Sequence, residues 1–363
     1  MPVLYASPAR AEREAVRSVA RVCAAGLDSV TLRQEIARQT ARLIPSDAYF
    51  FNTLDPDTGL VTHAMGEGAP PQLARHYFES LYPNGEAERV VDLARTGQIV
   101  TTELHPELEC AFRGAGLRGE IRATFALGDE PWGVWCSLRA HTAHAFGDRE
   151  LAYFRRIAPI VARGLRAAAL RAVANRAEQA DDAADTAAVR PGVVVVDDRA
   201  RVAQRTATAA AQLEDLADIG PSGTELPSVL LGVIARRRFV EAHGARWSGE
   251  LRVRGRSGRW YTLQVQLTEP DATGRSSCVV IITPIGHADV APLLAKLYGL
   301  SPREREVAAM VARGYSSKEI ARRLQISPYT VQDHLDHAAE KVGVRGRRAL
   351  LAKLFFDGYV KRL

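Results

Sequence analysis

Apolar positions in the first forty residues recur at helical spacing. Val16, Val19, Ala20 and Cys23 fall on one face, and Leu32, Ile36 and Leu43 continue the burial after a break near Gly26 and Asp28. Two helices are therefore predicted over about 9–44, ended by Pro45. The period then shortens. SDAYFFNTLD reads as a strand, DPDTG as a turn and LVTHAM as the returning strand of a hairpin. Helical segments follow around 71–82 and 86–96, before two strands, IRATFAL (121–127) and WGVWCSL (132–138), joined by the turn GDEP.

From Asp148 a long helix carries Leu151, Phe154, Ala158, Val161, Leu165, Ala168 and Ala172 at three- and four-residue steps. That seam suits pairing with a second copy of itself, with packing onto its own domain as the alternative; Pro159 would kink the helix. The alanine-rich, charged stretch NRAEQADDAADTAAVR has no apolar period and reads as a linker. Beyond Pro191 the pattern gives a strand (GVVVVDD), two helices (QRTATAAAQLEDLA and PSVLLGVIARRRF) and three strands (GELRVRG, RWYTLQVQL, SCVVIITPI). Arg236, Arg237 and Arg238 form a charge run that reads as a solvated face or an extra phosphate contact.

The C-terminal stretch is marked by three helix starts. Ser301, with Pro302 at the first helical position and Glu304 three residues on, makes a capping box; Ser316 with Glu319 repeats it; Ser327 with Pro328 makes the third. The few residues between Leu324 and Ser327 leave room only for a tight turn, so the second and third helices form a helix-turn-helix pair. On the third helix Val331, Leu335, Ala338 and Val342 face a small core, which Ile320, Leu324, Val307 and Val311 complete. The opposite face then carries Tyr329, Thr330, Gln332, Asp333, Asp336 and His337, side chains able to reach base edges from a helix lying in a major groove.

The blocks LSPREREV, GYSSKEIARRL, ISPYTVQDHL and KVGVRGR, in order over about sixty residues, closely resemble the LuxR-type DNA-binding domain, a four-helix version of this motif. The resemblance implies that Lys318 and Thr330 hold phosphates and that Gln332, Asp333, Asp336 and His337 face the groove, with Tyr329, Lys341, Arg345 and Arg347 as further candidate contacts. Many relatives have lysine where Gln332 and Asp336 stand here, so this reading face is poorer in cations and the operator cannot be carried over by analogy. WGVWCSLRA followed by FGDRELAYFRRIAPIVARGL looks like the C-terminal half of a GAF domain, and the order of elements after Pro191 is similar to a PAS domain. A GAF-like domain would place a small-molecule cavity on one face of its sheet, with Tyr49, Phe51, His63, Trp132 and Trp135 as candidate lining, or simply as core aromatics. The expected architecture is multidomain: an α+β GAF-like domain (9–172), a linker (173–190), an α+β PAS-like domain (191–285) and an all-α LuxR-type domain (296–363) with its helix-turn-helix at about 317–336.

Charge sharpens this picture. The chain has 363 residues and a net charge of +6; residues 300–363 hold 13 of the 48 Lys and Arg and 7 of the 42 Asp and Glu, which leaves 35 against 35 upstream. The whole basic excess lies in the segment expected to meet a phosphate backbone. No apolar run is long enough to span a bilayer, and MPVLYASPAR lacks a signal-peptide core, so a soluble, cytoplasmic protein is expected. Cys23, Cys110, Cys136 and Cys278 lack CxxC spacing, and His141 and His144 lack a third ligand, so no metal and no resident cofactor is implied. GAGLRG (114–119) matches GxGxxG literally, but helical sequence before it and strand-like sequence after it are the reverse of a dinucleotide fold. No nucleophile, base and orienter grouping and no receiver-domain phosphoacceptor stands out, which argues against an enzyme and against input by phosphorylation. The expected function is a dimeric bacterial regulator that binds double-stranded DNA, with RNA polymerase as a further partner and an unknown small ligand as effector. The alternative is a regulator of weak DNA affinity that acts through a partner protein.

Overall fold

A computed structural model describes residues 8–70, 73, 86–102, 113–114, 116–140, 144–179, 190–218, 225–244, 247–272, 274–285 and 291–356. The predicted helix at 71–82, His141 and Cys110 lie outside them, Leu73 excepted. The chain divides into two compact units, Met1–Ala168 with Ala187–Pro284, and Ala169–Thr186 with Ile285–Leu363.

The first unit begins with α1 (Pro8–Ala24) and α2 (Ser29–Ala41). Asp28 separates them as expected: its Oδ1 accepts from the N–H groups of Val30 and Thr31 at 2.9 and 3.0 Å, satisfying donors that the helix start leaves orphaned. A sheet follows from β1 (Ala48–Leu54), β2 (Val61–His63), β3 (Gly66–Glu67), β4 (Ile99–Thr102), β5 (Leu117–Leu127) and β6 (Glu130–Ala140), in the order β2-β1-β6-β5-β4, with β3 also on β1. Its pairings are antiparallel. The helix α3 (Glu86–Thr96) lies between β3 and β4 in sequence and packs on β5 and β6. GAGLRG runs into β5 at Leu117, with Gly116 at φ +74°, so it is a turn into a strand.

The helix α4 (Asp148–Gln179) runs unbroken through Pro159 and continues seven residues into the segment expected to be linker. Its seam is occupied in part. Phe154, Val161, Leu165 and Ala168 are buried against the helix's own unit. Gly133 of β6 allows the helix a close approach, since a Cβ there would stand 2.7 Å from Leu165 Cδ1. Of the seven seam positions those four are buried within the monomer, whereas Leu151, Ala158 and Ala172 are half-buried.

The second sheet consists of β7 (Gly192–Val196), β8 (Val202–Arg205), β9 (Glu250–Arg254), β10 (Trp260–Leu267) and β11 (Cys278–Ile285), ordered β8-β7-β11-β10-β9. β8, four residues of mostly exposed chain, was too short and polar to show a period. Between β8 and β9 come α5 (Ala207–Asp215), capped by Thr206, and α6 (Ser228–His243), ended by Gly244 in the left-handed region at φ +65°. Both sheets have the same plan: a hairpin, a helical crossover and a returning meander whose last strand lies beside the first.

The two sheet modules share one core. Every residue from Ser228 to Ala235 on α6 is buried, which a helix facing a single sheet would not achieve. Its other side meets β2, and Leu54, Leu60, Val61, Val90 and Val134 of the first module join Val194, Val229, Leu230, Ile234 and Leu263 in one cluster. Polar bonds cross the same seam. Asp218 accepts from Ala64 N at 3.2 Å and from Ser228 N and Oγ at 2.7 and 2.6 Å. Beside it the buried Arg33 donates to Phe51 O and His63 O at 2.8 and 3.3 Å. Burial lowers the Arg33 pKa to about 10 despite the carboxylate of Asp218.

The C-terminal unit contains α7 (Ala291–Leu297), α8 (Pro302–Ala312), α9 (Ser317–Leu324), α10 (Pro328–Val342) and α11 (Gly346–Leu351), the last continuing as a π-helical turn over Ala352–Phe356. α7 begins five residues before the expected boundary at 296, runs across it and packs on that turn, where Leu354 is buried.

Candidate nucleic-acid interface

The three predicted caps are formed. Ser301 Oγ accepts from Glu304 N at 3.3 Å while Glu304 Oε2 accepts from Ser301 N at 2.7 Å; Ser316 and Glu319 repeat this at 3.3 and 2.8 Å; Ser327 Oγ accepts from Thr330 N at 3.0 Å. Gln325 ends α9 in the left-handed region at φ +54°, and this one residue reverses the chain between the two helices. Val307, Val311, Ile320, Val331, Leu335, Ala338 and Val342 are buried as predicted, with Leu324 half-buried. This core fixes the rotation of α10. Gln332, Asp333, Asp336 and His337 are exposed, and Tyr329 at 83% exposure is the most exposed large hydrophobic side chain among the described residues.

Lys318 and Arg345 are exposed at the starts of α9 and α11. Thr330 is half-buried, its hydroxyl 2.9 Å from Ser327 Oγ. Two further candidates, Lys341 and Arg347, make bonds within the domain. Lys341 Nζ donates to both carboxylate oxygens of the buried Glu304, at 2.9 and 2.7 Å, tying α10 to α8. Burial alone would raise the Glu304 pKa, yet hydrogen bonds from Lys341 and the Ser301 N–H hold it below the ordinary carboxylate range. Arg347 Nη2 donates to Tyr315 O at 2.7 Å and so anchors α11 to the loop before α9. Arg303, which sequence reasoning did not single out, ties α8 to the end of α9 through Leu324 O at 2.9 Å. Bonds to backbone carbonyls leave no mark in a sequence, whereas the second partner of Glu304 was hidden by its capping role.

Phe51, Trp132 and Trp135 of the expected cavity lining are packed as core, while Tyr49 and His63 are half-buried. Phe51 and Trp135 are buried, their rings 5.2 Å apart, with Trp135 also against Phe154 of α4 at 5.9 Å and Tyr49 stacked on Trp135 at 5.0 Å. Trp132 is buried as well. The physical reason is that α4 lies on the sheet face from which Phe51 and Trp135 project. His63 sits in the seam between the sheet modules, where burial and the positive charge of Arg33 depress its pKa to about 4. Arg237 and Arg238 are tied to their own module: Arg237 pairs with Glu241 at 2.8 Å and Arg238 donates to Asp197 O and Asp198 O at 2.6 and 2.8 Å. Asp198, Arg238, Glu241, Ala242, Leu267 and Ser276 border a cleft of about 360 Å³ there. Among the described residues no group of His, Cys, Asp and Glu is placed to hold a metal ion, and no helix is long and apolar enough to cross a membrane.

Comparison with known proteins bears on the C-terminal unit. Residues 299–354 match the model of the luxR family of bacterial regulatory proteins. The spore germination protein GerE of Bacillus subtilis is 42% identical over 59 residues, 16% of this chain and 80% of GerE. The transcriptional regulatory protein UhpA of Escherichia coli is 45% identical over 60 residues, 16% of this chain and 30% of UhpA. A Mycobacterium tuberculosis protein named as an HTH-type transcriptional regulator is 48% identical over 52 residues, so the chain spans 14% of its own length and 6% of that relative's. The crystal structure of Escherichia coli SdiA aligns over 91% of this chain and 92% of its own at 14% identity and a TM-score of 0.33, too low to assign the sheet modules. Through its C-terminal helices the chain belongs to the luxR family of bacterial regulatory proteins.

Proposed function

We propose that the chain is a sequence-specific regulator of transcription that places α10 in the major groove of double-stranded DNA. The observation that carries this reading is the rotation of α10: a buried apolar stripe on one side leaves Tyr329, Gln332, Asp333, Asp336 and His337 exposed together on the other. Lys318, Thr330 and Arg345 flank that face and serve the phosphates, which position the helix without reading sequence.

The two sheet modules act as sensors, GAF-like and PAS-like in that order, a reading supported by their shared plan of hairpin, helical crossover and meander. A small ligand bound more tightly by one arrangement of these modules shifts the operator-competent population by no more than its differential affinity. The regulator works as a homodimer on twofold-symmetric operators and recruits or obstructs RNA polymerase. Its dimer contact lies elsewhere than the buried part of the α4 seam.

Selection of the purified chain on a pool of random duplexes at two salt concentrations, with sequencing of the bound fraction, tests the reading. The expected result is a twofold-symmetric site whose affinity falls steeply with salt. A second reading is favoured by the two aspartates on the exposed face and by the commitment of Lys341 to Glu304: weak DNA affinity, with action through a partner protein. Weak binding without sequence preference in the same experiment selects it.

A further inference from the structure

The side chains on the exposed face of α10 are coupled in pairs. Gln332 and Asp336 stand one helical turn apart, and Gln332 Nε2 donates to Asp336 Oδ1 at 2.9 Å. Asp333 and His337 repeat the spacing one residue on, with Oδ2 and Nδ1 3.8 Å apart. The ion pairs among the described residues join no Lys or Arg to either aspartate.

The chemistry of a carboxylate restricts what Asp336 can face. It has acceptors only, and with Oδ1 engaged its Oδ2 must meet a donor. Guanine offers O6 and N7 to the major groove and thymine offers O4 and a methyl group, so neither supplies a donor. Against these edges Asp336 would lose hydration with no bond in return. Adenine offers N6–H, but its N7 lone pair stands beside that donor and repels a second carboxylate oxygen. Cytosine offers N4–H with a C5–H beside it, and so meets the carboxylate without a competing acceptor.

We infer that Asp336, held in place by Gln332, selects cytosine, so that each operator half-site carries a C·G pair beneath the middle of α10. This deepens, and rests on, the DNA-binding reading above. Asp336 is the specificity determinant and Gln332 a positioning residue, whose bond stops the carboxylate from swinging toward solvent.

The experiment uses the full chain, Asp336→Asn and Gln332→Ala, each selected on the same random duplex pool and then titrated against the enriched site and its single-base variants. Both positions are exposed, so the substitutions leave the fold of α10 intact. For the wild type, replacing the selected cytosine by thymine or guanine weakens binding on the order of 10- to 100-fold. Asp336→Asn moves the preference at that one position from cytosine to adenine, because an amide matches adenine N6 and N7. Gln332→Ala keeps cytosine first but reduces the discrimination there, while a merely structural role would weaken all positions alike. Retention of cytosine by Asp336→Asn, or a wild-type site in which no position depends on Asp336, overturns the inference and leaves DNA binding standing. A pool from which the wild type enriches nothing overturns the DNA-binding reading, and this inference with it.

Discussion

Lys341 separates two readings of one cation, because the sequence offers it to phosphate and the structure gives it to Glu304. Its ammonium contacts both oxygens of a carboxylate whose side chain is 7% exposed, while its own side chain is 40% exposed. Lys341→Ala would leave Glu304 with only Ser301, through its N–H and its side chain, inside the α8 cap. Breaking a fully buried ion pair from one side costs about 3 to 5 kcal/mol. The solvent exposure of Lys341 screens the pair, so about 1 to 2 kcal/mol is expected here. The sign with pH follows from Glu304, whose folded pKa is depressed. Its contribution is present above the unfolded carboxylate value and lost as pH falls through the folded one. The variant's deficit should therefore be full at pH 7 and shrink below about pH 4. Amide exchange within α8 and α10 of the full chain, compared at the two pH values, measures it. Salt titration of DNA binding supplies the second axis: Lys341→Ala should keep the slope, whereas Lys318→Ala should reduce it by about one without loss of stability. A Lys341→Ala protein of unchanged stability and reduced slope would refute the structural assignment.

Other expectations follow from the first unit and from the helix-turn-helix corner. His63 has a depressed folded pKa, so stability of the sheet unit should fall as pH drops below the unfolded histidine value of about 6.5, by about 2 to 3 kcal/mol once pH reaches 4; thermal unfolding of the wild type and His63→Gln should differ in this pH dependence, and parallel curves would count against it. Arg33→Met removes the donor to Phe51 O and His63 O and a cation that favours the charged form of Asp218, and should cost about 3 kcal/mol or more, read as a lowered unfolding midpoint in denaturant; a loss under 1 kcal/mol would contradict the geometry. At Gln325 the left-handed backbone makes opposite predictions for two substitutions: Gln325→Gly should hold or raise the stability of the C-terminal unit by a few tenths of a kcal/mol, and Gln325→Val should lower it by about 1 to 2, both measured by thermal scanning.

The C-terminal helices were legible because their signals are local. Ser301, Ser316 and Ser327 mark their own helix starts within three residues, and Val331, Leu335, Ala338 and Val342 carry a period that fixes which face is buried. The i,i+4 spacings Gln332–Asp336 and Asp333–His337 were equally visible, though nothing in them says which pairs form. What escaped the sequence depends on distant partners. Lys341 and Glu304 are 37 residues apart, and Ala64 and Asp218 are 154 apart. A period cannot tell a ring facing a cavity from a ring facing a helix, which is why Phe51 and Trp135 were open to both readings until α4 was seen to cover them. The sequence does carry one local signal for the joined modules. The run SVLLGVIA on α6 is apolar on every side, and a helix of that kind needs neighbours all round.

That helix also bears on how this protein can change over generations. A segment with one apolar side can be inherited with its sheet and moved between genes as a block, since the exchange exposes only polar surface. α6 is different, because its two sides belong to two sheets. A crossover in the gene between the codons for β2 and α6 would leave the apolar flank of each half facing water, a surface that promotes aggregation. Substitutions along α6 and along Leu54, Leu60 and Val61 should therefore accumulate in compensating pairs, and the two sheets should travel through a lineage as one inherited piece.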